Sequence, residues 1–271
     1  MRENSVFYSD SRSNALLKSR MTYRLLPLLL CAFVCTGRAQ DAVVPPPAEP
    51  TLGERWIALE GGDSVLVWTA LPAVQQDRPA VLVLHDRFGP HTHVRSVMKV
   101  LATVGYRAFA LPLLSAPEQP ARGYPPVTMD SSDFARVTQV AVELMNDEGC
   151  TGRIGLLGFD VGAQVVAETI ARLPFFKAAV LFYPSGGTGT LVRLLDSATP
   201  TMIVIAQYDA DCTLADVNAI REIFMEQKRK LHVSYVKDAH RFFFNPDHER
   251  YHVPAMKLAW KELVAFFNRR L

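Results

Sequence analysis

Three ionisable side chains, Asp160, Asp209 and His240, follow apolar segments in an order that could support hydrolysis. Asp160 lies at the centre of the pentapeptide Gly158–Gly162, between an apolar run and a segment whose apolar residues have helical spacing. Two glycines at a strand-to-helix turn let the elements pass closely and leave the central side chain exposed above the sheet. A carboxylate there can act as a nucleophile, an imidazole as its base, and a second carboxylate can orient the imidazole.

Each of these three residues comes at or shortly after the end of a predicted strand. The strands are residues 154–157, 201–206 and 232–236. The carboxyl ends of parallel strands meet at one edge of a sheet, where ligands bind in open α/β folds. We therefore predict that the three side chains converge and that His240 lies within hydrogen-bonding distance of Asp209. Asp211, two residues after Asp209, is a further acid beyond the end of the same strand.

The rest of the chain alternates strands and helices, which positions these residues. Further strands are predicted at 55–59, 64–70, 80–84, 107–111 and 178–183, and helices at 94–104, 131–147, 161–171, 214–227 and 254–270. Alternation of this kind implies right-handed crossovers and a mostly parallel sheet with helices on both faces. We predict one domain over residues 51–271.

The first 40 residues are predicted to be an N-terminal extension and an export signal. Arg24 precedes an apolar run over residues 25–34, and small residues lead up to Ala39. This order is typical of a secretory signal peptide cleaved after Ala39. Export, to the periplasm or the medium, is therefore expected. Whether translation starts at Met1 or Met21 is left open.

Removal of this segment changes the charge of the chain. Six of the 29 basic residues and two of the 27 acidic residues lie within residues 1–40, which leaves 23 bases against 25 acids. The remainder has no basic run of the kind that binds nucleic acid. The apolar run is too short to be a stable membrane anchor after cleavage. Residues 41–50 are rich in proline and predict an extended tether.

Four stretches of the sequence resemble the dienelactone hydrolase family. They are residues 79–114, 155–164 (GLLGFDVGAQ), 177–184 (KAAVLFYP) and 239–267, which together with their spacing extend the resemblance over nearly the whole exported chain. The resemblance implies an α/β-hydrolase fold without a lid domain. It also implies a small ester, lactone or related carbonyl compound as substrate. No cofactor is expected, and no metal site is expected either, because His91 and His93 resemble metal-ligand spacing only faintly.

Carried over by position, the resemblance assigns roles to the three residues. Asp160 stands where the family has its cysteine or serine nucleophile, Asp209 stands at the acid and His240 at the base. The aspartate departs from the family pattern, and two flanking carboxylates would keep the imidazole protonated near neutrality. We therefore expect Asp160→Ser to gain esterase activity that depends on His240.

The same resemblance suggests residues around the reacting position. Asp86 stands where the family often has a glutamate, and the oxyanion donors would be the backbone amides of Val161 and of Asp86 or Arg87. Phe159 and Tyr183 are assigned either to the pocket lining or to the core.

Three functions stay open at this point. The first is hydrolysis of a small ester or lactone with chemistry altered by Asp160. The second is ligand binding on a fold that has lost turnover. The third is attack of Asp160 on a halide or epoxide carbon, which is disfavoured because residues 185–200 are too few for the lid that such enzymes carry.

Overall fold

Eight strands of the described chain form one sheet, in which the central strands are parallel. The computed structural model describes residues 49–59, 62, 64–113, 131–147 and 149–271. The strands are β1 (Thr51–Ala58), β2 (Ser64–Leu71), β3 (Arg78–Leu84), β4 (Arg107–Leu111), β5 (Cys150–Phe159), β6 (Ala178–Phe182), β7 (Thr201–Tyr208) and β8 (His232–His240).

Six α-helices are present in the same described ranges. They are α1 (Thr92–Thr103), α2 (Ser131–Met145), α3 (Val161–Arg172), α4 (Gly187–Leu191), α5 (Leu214–Glu226) and α6 (Val253–Asn268), and a 3₁₀ turn over Val192–Asp196 follows α4. No helix among these residues is long and apolar enough to cross a membrane.

The strand order is β1-β2-β4-β3-β5-β6-β7-β8. β1, β2 and β4 pair antiparallel, and the remaining pairs are parallel. This arrangement confirms the predicted α/β-hydrolase architecture. Between β6 and β7 the chain forms α4 and the 3₁₀ turn, and no lid domain is inserted among these described residues.

The alternation of side chains along β3 shows how the sheet is covered on both faces. Leu82 and Leu84 point into one apolar cluster, to which α2, α3 and α5 contribute. Val81 and Val83 point into the other, which receives α1 and α6. Successive residues of a strand face opposite sides, so a strand buried on both sides reads as a continuous apolar run.

The predicted elements are found with shifts of up to four residues at their ends, and the shift that changes the site is that of β8. It was expected over residues 232–236 but continues to His240. Ala206 of β7 pairs with Val236, whereas Tyr208 pairs with His240, so β8 carries a bulge of two extra residues. The backbone amide of Asp238, in this bulge, donates to the side-chain oxygen of Gln207 at 2.9 Å.

The predicted extension, export signal and most of the tether lie outside the described residues. They stay predictions, as does the domain boundary at residue 51.

Candidate active site

Asp160 lies at the turn between β5 and α3, as the sequence predicts. Its backbone has φ 53° and ψ −112°, a positive φ that side-chain-bearing residues rarely adopt. The surrounding backbone holds this conformation, since the Asp160 amide donates to the carbonyl of Phe182 at 3.0 Å. The Asp160 carbonyl accepts from the amides of Gln164 and Ser185 at 3.2 and 3.1 Å. The chain therefore builds the strained turn that usually presents a nucleophile.

The two glycines around Asp160 are required by close backbone approach. A Cβ atom on Gly158 would lie 2.6 Å from the Cα of Ala163, at the start of α3. A Cβ atom on Gly162 would lie 2.6 Å from the carbonyl oxygen of Leu84, at the end of β3. Strand, helix and the loop after β3 thus meet at one point, which confirms the predicted close crossing at the pentapeptide. The predicted exposure of its central side chain is wrong, because Arg87 and Arg241 cover the Asp160 carboxylate.

The carboxylate of Asp160 is fully buried and saturated with hydrogen bonds. Its Oδ2 accepts from the backbone amide of Arg87 at 3.1 Å and from Arg87 Nε at 2.6 Å. Its Oδ1 accepts from Arg87 Nη2 at 2.7 Å and from Arg241 Nη2 in a short hydrogen bond. A carboxylate has about four lone-pair sites. Since four donors occupy them, the carboxylate has no lone pair left for attack or proton abstraction in this arrangement.

Arg241 connects Asp160 to Asp209. Its Nη1 donates to both carboxylate oxygens of Asp209, at 3.0 and 3.1 Å. Asp209 Oδ1 also accepts from the backbone amides of Asp211 and Cys212, which fixes it at the end of β7. Burial by itself would lower the pKa of Arg241, but the charges of Asp160 and Asp209 outweigh burial and raise that pKa. The result is a buried ion-pair chain in the order carboxylate, guanidinium, carboxylate.

His240 lies outside this chain of charges. Its side chain is exposed, and its ring packs against that of Tyr208 with centroids 4.8 Å apart. Among the described residues no hydrogen bond or ion pair joins it to Asp160 or Asp209. The predicted hydrogen bond between His240 and Asp209 is therefore not formed, and Arg241 occupies that place. The reason is the continuation of β8 through His240, because neighbouring side chains of an extended chain point in opposite directions.

Arg241 is the functional residue that sequence reasoning missed. The sequence predicts three carboxylates at one edge of the sheet, those of Asp160, Asp209 and Asp211. It predicts no buried cation that would balance their charge. Since buried charges are almost always paired, the arginine next to the predicted base was the available signal.

Asp211 and Arg87 form the solvent side of the site. The side chain of Asp211 is 49% exposed, and its Oδ2 lies 3.4 Å from Arg87 Nη2 and 3.6 Å from Arg241 Nε. The hydrogen bond to Asp160 raises the pKa of the Arg87 guanidinium. The Arg87 amide, predicted as an oxyanion donor, is bound to the Asp160 carboxylate. An acyl oxyanion would thus have to displace that carboxylate to reach this amide.

Asp86 holds the loops around the site. It accepts from the amide of Phe88 at 3.0 Å and from Asn245 Nδ2 at 3.2 Å, and His91 Nε2 lies 3.3 Å from its Oδ1. Burial alone would raise the pKa of this carboxyl group, but the contact with His91 and the charges of nearby histidines lower it overall. Asp86 therefore links the loop after β3 to the loop after β8.

The remaining predicted residues line the interior. Phe159 and Tyr183 are fully buried, with ring centroids 6.1 Å apart in an aromatic cluster with Phe182 and Phe244. The structure thus places both of them in the core. Val161 is the first residue of α3 and is nearly buried, and its oxyanion role stays a prediction. Among the described side chains no group of three or more His, Cys, Asp or Glu could hold a metal ion.

Comparison with known proteins gives a consistent match over most of the chain. The model of the dienelactone hydrolase family matches residues 66–271. A protein of Salmonella typhi named "Putative carboxymethylenebutenolidase" is 25% identical over 224 residues, which cover 76% of this chain and 83% of the relative. A protein of Synechocystis with the same name is 24% identical over 226 residues, covering 75% of this chain and 91% of the relative.

Solved structures agree with the fold. The crystal structure of a protein from Klebsiella pneumoniae, named "Putative Dienelactone Hydrolase", superposes on this chain with a TM-score of 0.73 and 22% identity. The match covers 82% of this chain and 99% of that one. A dienelactone hydrolase-like promiscuous phosphotriesterase from metagenomic libraries has a TM-score of 0.70 and 17% identity, with the same coverage of each chain. Because both sequence identities are below 25%, these structures support the fold alone.

Proposed function

Because this chain belongs to the dienelactone hydrolase family, we propose that it hydrolyses a small ester, lactone or related carbonyl compound at the turn that carries Asp160. The family makes it a hydrolase by class. The observation that carries the proposal is the retained turn: Asp160 keeps a positive φ between β5 and α3. The name of the matched relatives supports the substrate class, since a butenolide is a lactone.

Hydrolysis needs a group that takes a proton from water and returns it to the leaving alkoxide. The water oxygen bonds to the carbonyl carbon, the bond from that carbon to the alkoxide breaks, and the proton moves to the alkoxide. His240, next to Arg241 in the chain, has a side chain whose neutral form can accept such a proton. To do so beside Asp209 it must exchange places with Arg241, which would also free a lone pair of Asp160.

The segment around His240 has features that favour such an exchange. Asp238 and Phe242 flank it and have positive φ values of 54° and 69° without being glycine. Backbone strain of this kind is common at switching segments. In this proposal the structure described above is a closed form, in which Arg241 lies between Asp160 and Asp209. In the open form His240 takes that position.

The second candidate is a ligand-binding protein without turnover. The ion-pair chain of Asp160, Arg241 and Asp209 favours it, because it fills the positions of nucleophile, base and acid with groups that neutralise one another. A site built this way keeps its fold but has no free reactive group.

Kinetics on wild type and three variants decide between the two candidates. Hydrolysis of p-nitrophenyl acetate and of a small lactone should be saturable in wild type and lost in Asp160→Asn and His240→Ala. Lys237→Ala is the matched control, since Lys237 is an exposed neighbour on β8. Its rate should equal that of wild type. Saturable binding of an unreactive lactam analogue, with all four proteins at the background rate, would establish the binding protein instead.

Export is the other part of the proposal. Arg24, the apolar residues 25–34 and the small residues before Ala39 support it. Expression in a bacterial host with a periplasm, followed by fractionation and N-terminal sequencing, should give a mature protein that begins near Gln40. A chain that keeps its first residues and stays in the cytosolic fraction would contradict export.

A further inference from the structure

His91 lies between two loops that border the candidate active site. It is the N-cap residue of α1 and ends the loop after β3, which also carries Asp86. The facing loop, residues 241–252 between β8 and α6, carries Arg241 and Asp247. His91 Nε2 lies 3.3 Å from Asp86 Oδ1, and His91 Nδ1 lies 3.8 Å from Asp247 Oδ2. The ring thus stands between one carboxylate of each loop.

The hydrogen bonds of His91 define where its proton lies in this structure. The backbone amide of His93 donates to His91 Nδ1 at 3.3 Å, and this bond caps the first turn of α1. Since an amide N–H can only donate, Nδ1 carries no proton, and the proton of the neutral ring lies on Nε2, facing Asp86. A carboxylate beside Nδ1 gains no hydrogen bond from the neutral ring. Asp247 nevertheless has its half-exposed carboxylate beside this atom.

A proton taken from solvent would reverse the use of Nδ1. The protonated nitrogen can no longer accept from the His93 amide, but it can donate to Asp247. The imidazolium would then attract two carboxylates, the buried one of Asp86 and the half-exposed one of Asp247. Burial would raise the pKa of Asp86, but the hydrogen bond from His91 and the charges of nearby histidines lower it overall, so Asp86 stays ionised in mild acid.

Three other histidines lie near His91, and their environments favour the neutral ring. Burial lowers the pKa of His93, whose ring centroid is 5.9 Å from that of His91, to about 4. One ring nitrogen of His85 and one of His248 accept from backbone amides, at 3.0 and 3.1 Å. Burial also lowers the pKa of His248. These rings therefore add little positive charge against His91 in mild acid.

We propose that His91 is a pH-dependent positioning residue for the loop of residues 241–252. In its neutral form it caps α1 and makes no hydrogen bond with Asp247. With a proton on Nδ1 it releases the cap and holds Asp247, which links this loop to the loop after β3. Since the loop begins at Arg241, the charged ring would favour the closed form of the site. This last consequence, unlike the link itself, rests on the proposed function.

Two NMR measurements between about pH 8 and pH 5, the range in which histidines change charge, test the link. The ring ¹⁵N signals of His91 should show an unprotonated Nδ1 at high pH and protons on both nitrogens in acid. Amide hydrogen exchange, corrected for its intrinsic pH dependence, is followed for Asn245, His248 and Tyr251, whose amides donate within the loop. It should slow about two- to fivefold in acid, as expected for a partly exposed ion pair. Exchange of the His93 amide should become faster, because its acceptor is lost.

Two variants separate the charge of the ring from its role as a cap. His91→Asn keeps a good N-cap residue but cannot take up a proton, so the loop amides should lose their pH dependence while α1 stays capped. Asp247→Asn should lose it as well, because the charged ring has no carboxylate of that loop to hold. Glu249→Gln is the matched control, since it removes another exposed carboxylate of the same loop, and it should behave like wild type.

The inference fails if Nδ1 is protonated at high pH, if acid speeds exchange of the loop amides in wild type, or if His91→Asn keeps their full pH dependence. None of these measurements uses a substrate. Absence of hydrolysis would therefore leave the link intact, and absence of the link would leave the proposed hydrolysis untouched.

Discussion

Asp160 and Arg241 determine what the site can do chemically. A carboxylate is a useful nucleophile when one lone pair is free, and here four donors from two arginines engage all of them. Attack on an ester by a carboxylate would also form a mixed anhydride, beside an oxyanion that the carboxylate charge opposes. The ion pairs thus stabilise the fold of the site while they suppress the reactivity of Asp160.

Loss of the Asp160 charge should strongly destabilise the protein. Asp160→Asn leaves the buried Arg241 guanidinium and the partly buried Arg87 guanidinium with too few acceptors. Breaking a buried pair in this way costs about 3–5 kcal/mol in the free energy of unfolding. Asp211→Asn is the matched control, because its carboxylate is 49% exposed and its pairs contribute about 1 kcal/mol or less. Urea unfolding of both variants measures the difference. Equal effects would mean that Asp160 is not the centre of the ion-pair network.

Arg241 limits the esterase activity that Asp160→Ser can gain. In the closed form of that variant Arg241 would still hold Asp209, so the serine would have a base beside it only in molecules that have exchanged Arg241 for His240. We now expect little hydrolysis of p-nitrophenyl acetate by the single variant and a rate about tenfold or more higher in Asp160→Ser/Arg241→Gly. General-base catalysis typically contributes about 10²–10⁴-fold, so a partly restored base suffices for that gain.

The triple variant with His240→Ala is the control for this gain. It should return to the rate of the single variant. A fully active single variant would show that Arg241 does not keep His240 away from the serine.

The turn between β5 and α3 depends on close approach of three backbone segments. At Gly162, a Cβ atom would lie 2.6 Å from the Leu84 carbonyl oxygen, closer than real Cβ contacts allow. Strand, helix and loop are each held by the sheet or the core, so none can move away at low cost.

Gly162→Ala should therefore lower the melting temperature by several degrees and disturb the site. Overpacking of this kind typically costs about 1–3 kcal/mol. Gly189→Ala, in α4, has no neighbour within 4 Å of the added Cβ atom and should be neutral or slightly stabilising. Calorimetry of both variants tests this. Similar melting temperatures for the two would mean that the backbone segments around Gly162 can separate.

In the described part of the chain the sheet is covered by helices on both faces, and the stability of this part depends on a buried histidine that stays neutral. His93, on α1, is 1% exposed and packs edge-on against Phe159 and Phe244. Burial lowers the pKa of His93 to about 4, and the nearby Asp86 charge only partly compensates. In the unfolded chain the same group has its ordinary pKa of about 6.5.

This difference makes global stability depend on pH. Below about pH 6.5 the unfolded chain binds a proton at His93 that the folded chain does not bind, so acid favours unfolding. The contribution is fully present above pH 6.5 and falls by roughly 3 kcal/mol as the pH approaches 4.

His93→Leu isolates this contribution. The free energy of unfolding of wild type minus that of the variant should decrease between pH 6.5 and 4, although His232 and His248 titrate in both proteins. A difference that stays constant over this range would contradict the assignment to His93.

The sequence determined most of the architecture because its signals are local. Apolar runs such as Ala80–Leu84, the glycines at 158 and 162, and the helical spacing after Val161 specify a strand, a close crossing and a helix without reference to distant residues. The alternation of these elements then fixes a parallel sheet, and with it the edge at which Asp160 and Asp209 meet.

Only the tertiary structure decided which side chain stands between those carboxylates. Side chains alternate along an extended strand, so a small change in where β8 ends or bulges exchanges His240 and Arg241 between solvent and interior. The bulge depends on pairing with β7, through contacts such as that of Asp238 with Gln207. It also depends on the buried carboxylates of Asp160 and Asp209, which require a positive charge beside them. Neither condition can be read from the residues next to His240, because both arise from strands that are distant in the chain.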